Sequence, residues 1–462
     1  MSLKPSIYDT IEVVASDGRT ADIRFASVSI DYYEDILCPT ISAKIQIADS
    51  GGSIKLNDTN EEVSLYDGMK LRGGERVNLI IEPNSSTNQR LDFASFKPLY
   101  VRGIKNVMRE EQREFFELHL VSREATENEV TFLKRSFSKE KTIKDHAVDI
   151  INESFNAPGR VEVDDTSNTL GFIGNNMKPF EALTKLASKA CPAISQNASA
   201  GFFFFQVRDG FKFKSIDNLV DSEPVAEYVY TEQQYTPATF QPTPELPSLD
   251  MKIIKFEVLQ NQDLVKNLKK GAYSTERRFF DPSNFLVTTP KRGRSQFTGE
   301  DYTSIVKNLG GEFALDNIKL SDAANDFTKI PSMILTETVD RGTVEKENVT
   351  KDENQQIEQI YAQRRMRYNT LFTQRISILV PLNTNISAGD NIICNFPKIS
   401  NNHRVEVDTE NISGKYLVKE LCHHFDPRGS WTSMMIVRDT FGPSSSENVS
   451  SSLIRSALSI FS

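Results

Sequence analysis

The stretch Gly201–Leu219 reads Gly-Phe-Phe-Phe-Phe-Gln-Val-Arg-Asp-Gly-Phe-Lys-Phe-Lys-Ser-Ile-Asp-Asn-Leu, and it constrains the fold more tightly than any other. Two β-prone runs flank Asp209-Gly210, a dipeptide suited to a two-residue hairpin turn because both central positions of a type I′ turn need positive φ. The second run alternates Phe211, Lys212, Phe213, Lys214, so one face should be buried and the other wet. The first run does not alternate: Phe202–Phe205 is apolar on both faces, as in a strand covered from both sides. An ideal turn puts Phe205 opposite Lys214, with Phe203 beside it on the face the lysines would wet. Either a further element covers that face or a bulge shifts the register. Uncovered, four consecutive phenylalanines would invite aggregation. The hairpin is therefore predicted to be sandwiched at the middle of the fold.

On its N-terminal side, residues 1–123 read as β. Thr10–Val14 and Ala21–Phe25 flank an Asp17-Gly18 turn. Val28–Tyr33 and Ile41–Ile47 alternate at period two, and Gly73–Glu82, Pro98–Ile104 and Phe115–Ser122 continue the series. Short strands separated by turn signals point to an antiparallel barrel or sandwich. Residues 124–221 differ. Ile143, Ala147, Ile150 and Ile151 fall on one helical face, and Phe180, Leu183, Leu186 and Ala190 on another that begins at Pro179. With the aromatic hairpin these make an α+β unit. Residues 222–259 and 372–441 form a second β unit, joined across the proline-rich connector 235–249. Between them, 260–371 is a polar insertion ending in a helix from about Asn354. In the tail 442–462, Ser444–Ser452 is serine-rich and Leu453–Phe461 is predicted as a short helix.

At 462 residues, two to four domains are expected. A hydrophobic content of 38% with 25% charge is that of a folded globular chain. The formal net charge of −9, without a long basic run, argues against binding nucleic acid through neutralised phosphates. The four cysteines, Cys38, Cys191, Cys394 and Cys422, are scattered and read as buried free thiols made in a reducing cytoplasm. Met1–Ile7 has no apolar signal-peptide core, and no apolar run approaches the roughly 18 residues of a membrane helix, so assembly in the cytoplasm without membrane insertion is expected.

Few residues have the makings of a site. His423-His424, with Cys422 and Asp426, is the one cluster of metal-ligand types. Adjacent strand residues point to opposite faces, so the expectation is one buried and one solvated histidine. Glu61-Glu62, Glu110-Glu111 and Asp164-Asp165 are paired carboxylates of the kind glycoside hydrolysis uses, but read as solvated surface. No nucleophile elbow accompanies a serine or cysteine. Gly51-Gly52 and Gly73-Gly74 read as turns because no helix follows them. Arg364-Arg365-Met366-Arg367 and Lys291-Arg292-Gly293-Arg294 read as a helix surface and a solvated loop. The expectation is therefore no catalytic residue, no cofactor and no metal ligand.

The aromatic strand followed by Arg208-Asp209-Gly210-Phe211 and Phe213–Leu219 resembles the central segment of baseplate hub proteins from contractile-tailed, T4-like bacteriophages. Further segments are similar in the same order. Phe115–Ala125 with Asn128-Glu129 resembles the junction after the first barrel, and Phe180–Leu183 with Leu186–Ala190 the helix before the hairpin. Asn267–Ser274 with Phe279–Pro282 resembles the insertion domain. Ile376–Phe396 is similar to the second barrel, and Ser413–Val418, His423 and Val437–Asp439 to the closing segment. The matches span about 100–441; residues 1–100 match in strand pattern alone.

The resemblance implies a mainly β fold with α+β parts: two tail-tube-like antiparallel β-barrels, a small α+β domain and an insertion domain. It implies a structural, non-enzymatic homotrimer in the virion tail baseplate, whose six barrels form a ring between the hexameric tail tube, or a tube-initiator protein, and the trimeric central spike. Baseplate wedge proteins would be further partners, and genomic DNA would pass through the bore without specific binding. Three copies carry −27, in keeping with a neutral to acidic bore. The alternative is a tail-associated cell-wall-degrading enzyme of glycoside hydrolase type.

Overall fold

The computed structural model describes residues 4–441, apart from 53, 56–61, 95–96, 112, 157–159, 194–199, 233–235, 237, 245, 282–284, 289–295, 314, 316–317, 323, 339–356, 399–405 and 409–410. The expected C-terminal helix, the serine-rich stretch, Lys291–Arg294 and Glu61 lie outside the described residues.

The first β unit consists of β1 (Ile7–Val14), β2 (Thr20–Asp22), β3 (Ser27–Asp35), β4 (Ser42–Asp49), β5 (Arg76–Glu82), β6 (Leu99–Glu110) and β7 (Arg113–Val121). Alternation does what period two requires. In β4, Ala43, Ile45 and Ile47 point into a core with Ile11, Leu79 and Leu118, while Ser42, Lys44 and Gln46 face outward. The hydrogen-bonded order is β3-β4-β7-β6-β5-β1-β2, antiparallel throughout.

In the α+β unit, α1 (Ile143–Ser154) starts with a capping box between Thr142 and Asp145, and buries Ile143, Ala147, Ile150 and Ile151. β8 (Arg160–Val163) and α2 (Pro179–Lys189) lead to the hairpin, β9 (Phe202–Val207) and β10 (Gly210–Ser215), followed by α3 (Ile216–Asp221). Val207 pairs with Gly210, so the turn residues are Arg208 and Asp209, one position earlier than the Asp209-Gly210 turn read from sequence. The reason is β8, which runs parallel along β10. A Cβ on Gly210, at φ +145°, would sit 2.0 Å from the Arg160 carbonyl oxygen. The glycine serves close strand approach, not the turn. Phe205 consequently pairs with Lys212 and Phe203 with Lys214.

The second β unit consists of β11 (Pro224–Tyr230), β12 (Lys252–Ile253), β13 (Lys255–Gln260), β14 (Gln374–Pro381), β15 (Asn391–Asn395), β16 (Gly414–Asp426) and β17 (Gly429–Arg438). Its order is β13-β14-β17-β16-β15-β11-β12. Taken by rank along the chain, this is the order of the first unit. In both, the two ends of the path are successive segments, β2 then β3 and β12 then β13. One strand departs: β1 is antiparallel to its neighbours, whereas β11 is parallel to β12 and β15. Among the described residues no ladder closes either path, so in place of the expected closed barrels there are sheet paths whose ends are joined by the chain. In the first unit the physical cause is the turn after β2, where Ala26 and Ser27 both donate to the Ile23 carbonyl and break the strand before β3.

The two paths are fused. β16 pairs with β15 up to Leu417, shifts register against β17 around Lys419, and from Glu420 to Phe425 pairs with β3. One sheet of 15 strands results. Inserted between β13 and β14 is a small sheet centred on Thr275–Asp281, covered by α4 (Ile357–Thr370) through Ala362 and Met366. Among the described residues no helix is long and apolar enough to cross a membrane.

Candidate functional site: the junction of the β units with the hairpin

The hairpin is covered on both faces. Phe202, Phe204, Phe211 and Phe213 pack on the helices of the α+β unit. Phe203 and Phe205 enter a separate cluster with Ile36, Leu371, Ala388, Leu417 and Val437, drawn from both β units and the end of the insertion. The second of the two alternatives posed by the sequence, a bulge, is not used. At Gly389, φ +90°, an added Cβ would lie 2.9 Å from Cζ of Phe205, so the loop after β14 fits the aromatic ring only as glycine.

Two buried polar nodes orient these parts. Glu34, on β3, accepts from the Tyr32 hydroxyl at 2.7 Å, from the Arg208 amide at 2.7 Å and from the Ala388 amide at 2.8 Å. One carboxylate thus ties the first unit, the hairpin turn and the second unit. Burial pushes its pKa above the usual carboxylate range, and the three hydrogen bonds partly offset that. Arg208 reaches on to the Thr384 carbonyl at 2.7 Å and Gln89 at 2.9 Å. Arg367, on α4, is the second node: fully buried, it meets Asp217 of α3 and Asp439 beyond β17, each at 3.1 Å. Burial opposes its charge, but Tyr302, Asp439 and Asp217 hold the guanidinium above its ordinary pKa. Burial also raises the Asp439 carboxyl, with Arg367 acting against it.

The sequence-predicted residues sit around this junction. His423 is buried, hydrogen-bonded to Thr432 at 3.0 Å, and burial pushes its pKa down to about 3. His424 is not simply solvated. Half-buried on the opposite face, it is ion-paired with Asp31, lies 3.5 Å from Asp426, and stacks on Trp431. Burial works against its charge, yet Asp31 and then Asp426 raise its pKa above 6.5. Among the described residues no group of three or more His, Cys, Asp or Glu is arranged to hold a metal. Cys191 and Cys394 are buried free thiols as expected; Cys38 and Cys422 are only partly covered, beside an open depression of about 440 Å³. Of the carboxylates there, Asp35 and Glu420 are both bound by Lys419, and Glu34 is the buried node described above. Asp164 is ion-paired with Lys214 and Asp165 with Lys144; Glu110 and Glu111 are exposed at a hairpin tip. The three arginines of 364–367 do not form a basic surface. Arg364 donates to the Ser188 carbonyl, Arg365 to that of Lys270, and Arg367 is buried.

Neither node was singled out from sequence, although signals were present. Ile30, Tyr32 and Glu34 share a period-two face, which places the carboxylate on the core side of β3. Arg367 adjoins the helical stripe Ala362-Met366-Thr370.

With this geometry the chain resembles solved tail proteins. The 43 kDa tail protein of prophage MuSo2 from Shewanella oneidensis superposes with a TM-score of 0.51 at 8% identity, over 93% of this chain and 98% of that one. The tail protein from Neisseria meningitidis MC58 gives 0.47 at 11% identity, over 93% and 96%. An E. coli component of the type VI secretion system, described as structurally similar to the T4 tail proteins gp27 and gp5, gives 0.40 at 8%, over 90% and 75%. No protein-family model and no curated protein matches the chain. The superposition at 0.51 runs nearly end to end in both chains: the mainly β fold with antiparallel sheets is that of a phage tail protein, as the resemblance in the residues implied.

Proposed function

We propose that this chain is the structural hub of a contractile phage tail baseplate, a homotrimeric ring that adapts a six-fold tail tube to a three-fold central spike. The observation that carries the reading is the repeated strand order, β3-β4-β7-β6-β5-β1-β2 and β13-β14-β17-β16-β15-β11-β12, in two units fused side by side by β16 and β3. Three copies then present six like units, so a three-fold assembly meets six-fold neighbours through nearly equivalent surfaces. In this reading 1–123 and 222–259 with 372–441 are the ring-forming domains, 124–221 and 260–371 brace them from outside, and 442–462 is a tail. The polar side chains at the junction are consumed in internal bonds, which supports a role without catalysis. The ring would form part of the DNA conduit in the virion tail, with wedge proteins around it. Light-scattering mass of the purified protein, alone and with its cognate spike protein, tests the reading. Three chains per particle are expected; a chain that joins neither itself nor the spike, or that clears cell walls in a turbidity assay, overturns it.

A further inference from the structure

The seam between β16 and β3 has an open counterpart elsewhere on the molecule. Because the two units share strand order, β6–β7 of the first corresponds to β16–β17 of the second, and β3 to β13. The registers align. Glu110 faces Arg113 as Asp426 faces Gly429. Leu120 faces Ala43 as Ile436 faces Ile376, and Ile45 faces Ile30 as Ile378 faces Phe256. Within the chain, the outer half of β16 covers the free edge of β3. Its equivalent, the outer half of β6 from Gly103 to Glu110, pairs only with β7 among the described residues. The equivalent edge, that of β13, likewise pairs only with β14 among the described residues. Burial follows. Ile30 and Tyr32 of β3 are buried, whereas Val258 and Leu259 of β13 are 40% and 46% exposed. His423 of β16 is buried and His424 half-buried, whereas their equivalents on β6, Val107 and Met108, are 41% and 60% exposed.

We propose that the outer half of β6 in one copy pairs antiparallel with β13 of a second copy, in the register set by β16 and β3. His424 opposite Asp31 becomes Met108 opposite Glu257, and Phe425 opposite Ile30 becomes Arg109 opposite Phe256. One step further, Glu110 stands beside Lys255 with opposite charge. Both edges carry an extra residue at the corresponding point. β6 shifts register around Asn106, at φ +53°, and β13 between Val258 and Gln260. Val107 therefore meets Val258 and Leu259, so exposed apolar residues of the two edges cover one another. The two edges are different strands, making the contact head-to-tail. It leaves no open strand edge only when the copies close a ring. For closure at three copies the proposal rests on the hub reading, to which it adds the contact itself.

Cysteine pairing tests it, since directly opposed strand residues lie within disulfide reach. Purified Met108→Cys and Glu257→Cys chains are mixed and oxidised, with Phe25→Cys and the unsubstituted chain as controls. Linked dimers are expected only from the Met108–Glu257 pair, and the doubly substituted chain should give covalent rings whose mass counts the copies. Independently, the Val258→Lys, Leu259→Lys chain should keep its circular dichroism spectrum and fall to a single-chain mass. Links with a copy number other than three uphold this contact and overturn the three-copy reading. A three-copy particle without the link, or one that survives the lysine substitutions, overturns the contact and leaves that reading standing. A monomer with and without the spike protein overturns both.

Discussion

Replacing Arg367 with methionine tests the claim that one buried cation holds three segments together. Methionine keeps much of the arginine's length and removes the charge, taking the guanidinium away from Asp217 and Asp439, which are buried at 5% and 1% exposure. Removing one partner of a buried ion pair costs about 3–5 kcal/mol because the remaining charge stays desolvated. Here a single cation serves two carboxylates, so the upper half of that range is expected at neutral pH. The loss is local to the meeting of α4, α3 and the end of β17. The observable is therefore amide exchange over residues 362–371, not a global transition, since a chain of this size need not unfold in one step. At about 1.4 kcal/mol per factor of ten, exchange should accelerate by roughly 10³-fold to 4 × 10³-fold. The effect has a sign with pH. Burial already raises the Asp439 carboxyl, and losing the cation raises it further, so the folded variant takes up a proton more readily than its unfolded state. The deficit should be largest at neutral pH and above, and shrink as acid protonates Asp439. A variant whose exchange over 362–371 stays within threefold of the parent at pH 7 would refute the reasoning, as would a deficit that grows on acidification.

Three further outcomes follow from the junction. Phe205→Ala empties the face between hairpin and β units; Phe→Ala in a core costs about 3–5 kcal/mol, and both Phe205 and Gly389 regions should become protease-sensitive together. Gly210→Ala meets the Arg160 carbonyl at 2.0 Å and adopts an unfavourable φ, so amide protection in β8 should fall while that in β4, outside the contact, is unchanged. His424→Gln removes an ion pair whose histidine pKa is raised and whose Asp31 pKa is lowered despite burial. The pair's contribution is complete below the ordinary histidine pKa, fades as pH rises through the raised value, and is lost in strong acid as Asp31 protonates. The difference in Tm between parent and variant should thus be largest near about pH 5 and smallest near about pH 9; the reverse trend would exclude His424 as a charged member of the seam.

Much of this architecture was legible locally. Period-two alternation at Val28–Tyr33 and Ile41–Ile47, helical spacing at Ile143–Ile151 and Phe180–Ala190, and the doubly apolar run Phe202–Phe205 each report an environment that adjacent residues create, which is why the elements could be read. The four phenylalanines even required covers on both faces, without saying what they were. What covers them depends on residues more than 160 positions away, Leu371, Ala388 and Val437, and no local period encodes that distance. The hairpin register illustrates the same limit. Asp209-Gly210 satisfies turn chemistry, but the turn moved one residue because Gly210 was needed where the backbone of β8 passes. The basic run 364–367 looked like surface until Asp217 and Asp439, remote in sequence, supplied its partners. The alternation of Ile30, Tyr32 and Glu34 determines that the carboxylate points inward; only the fold decides that Arg208 and Ala388 wait there to satisfy it. Pattern depends on neighbours along the chain, whereas the pairing of buried charges and the equivalence of the two strand orders depend on neighbours in space.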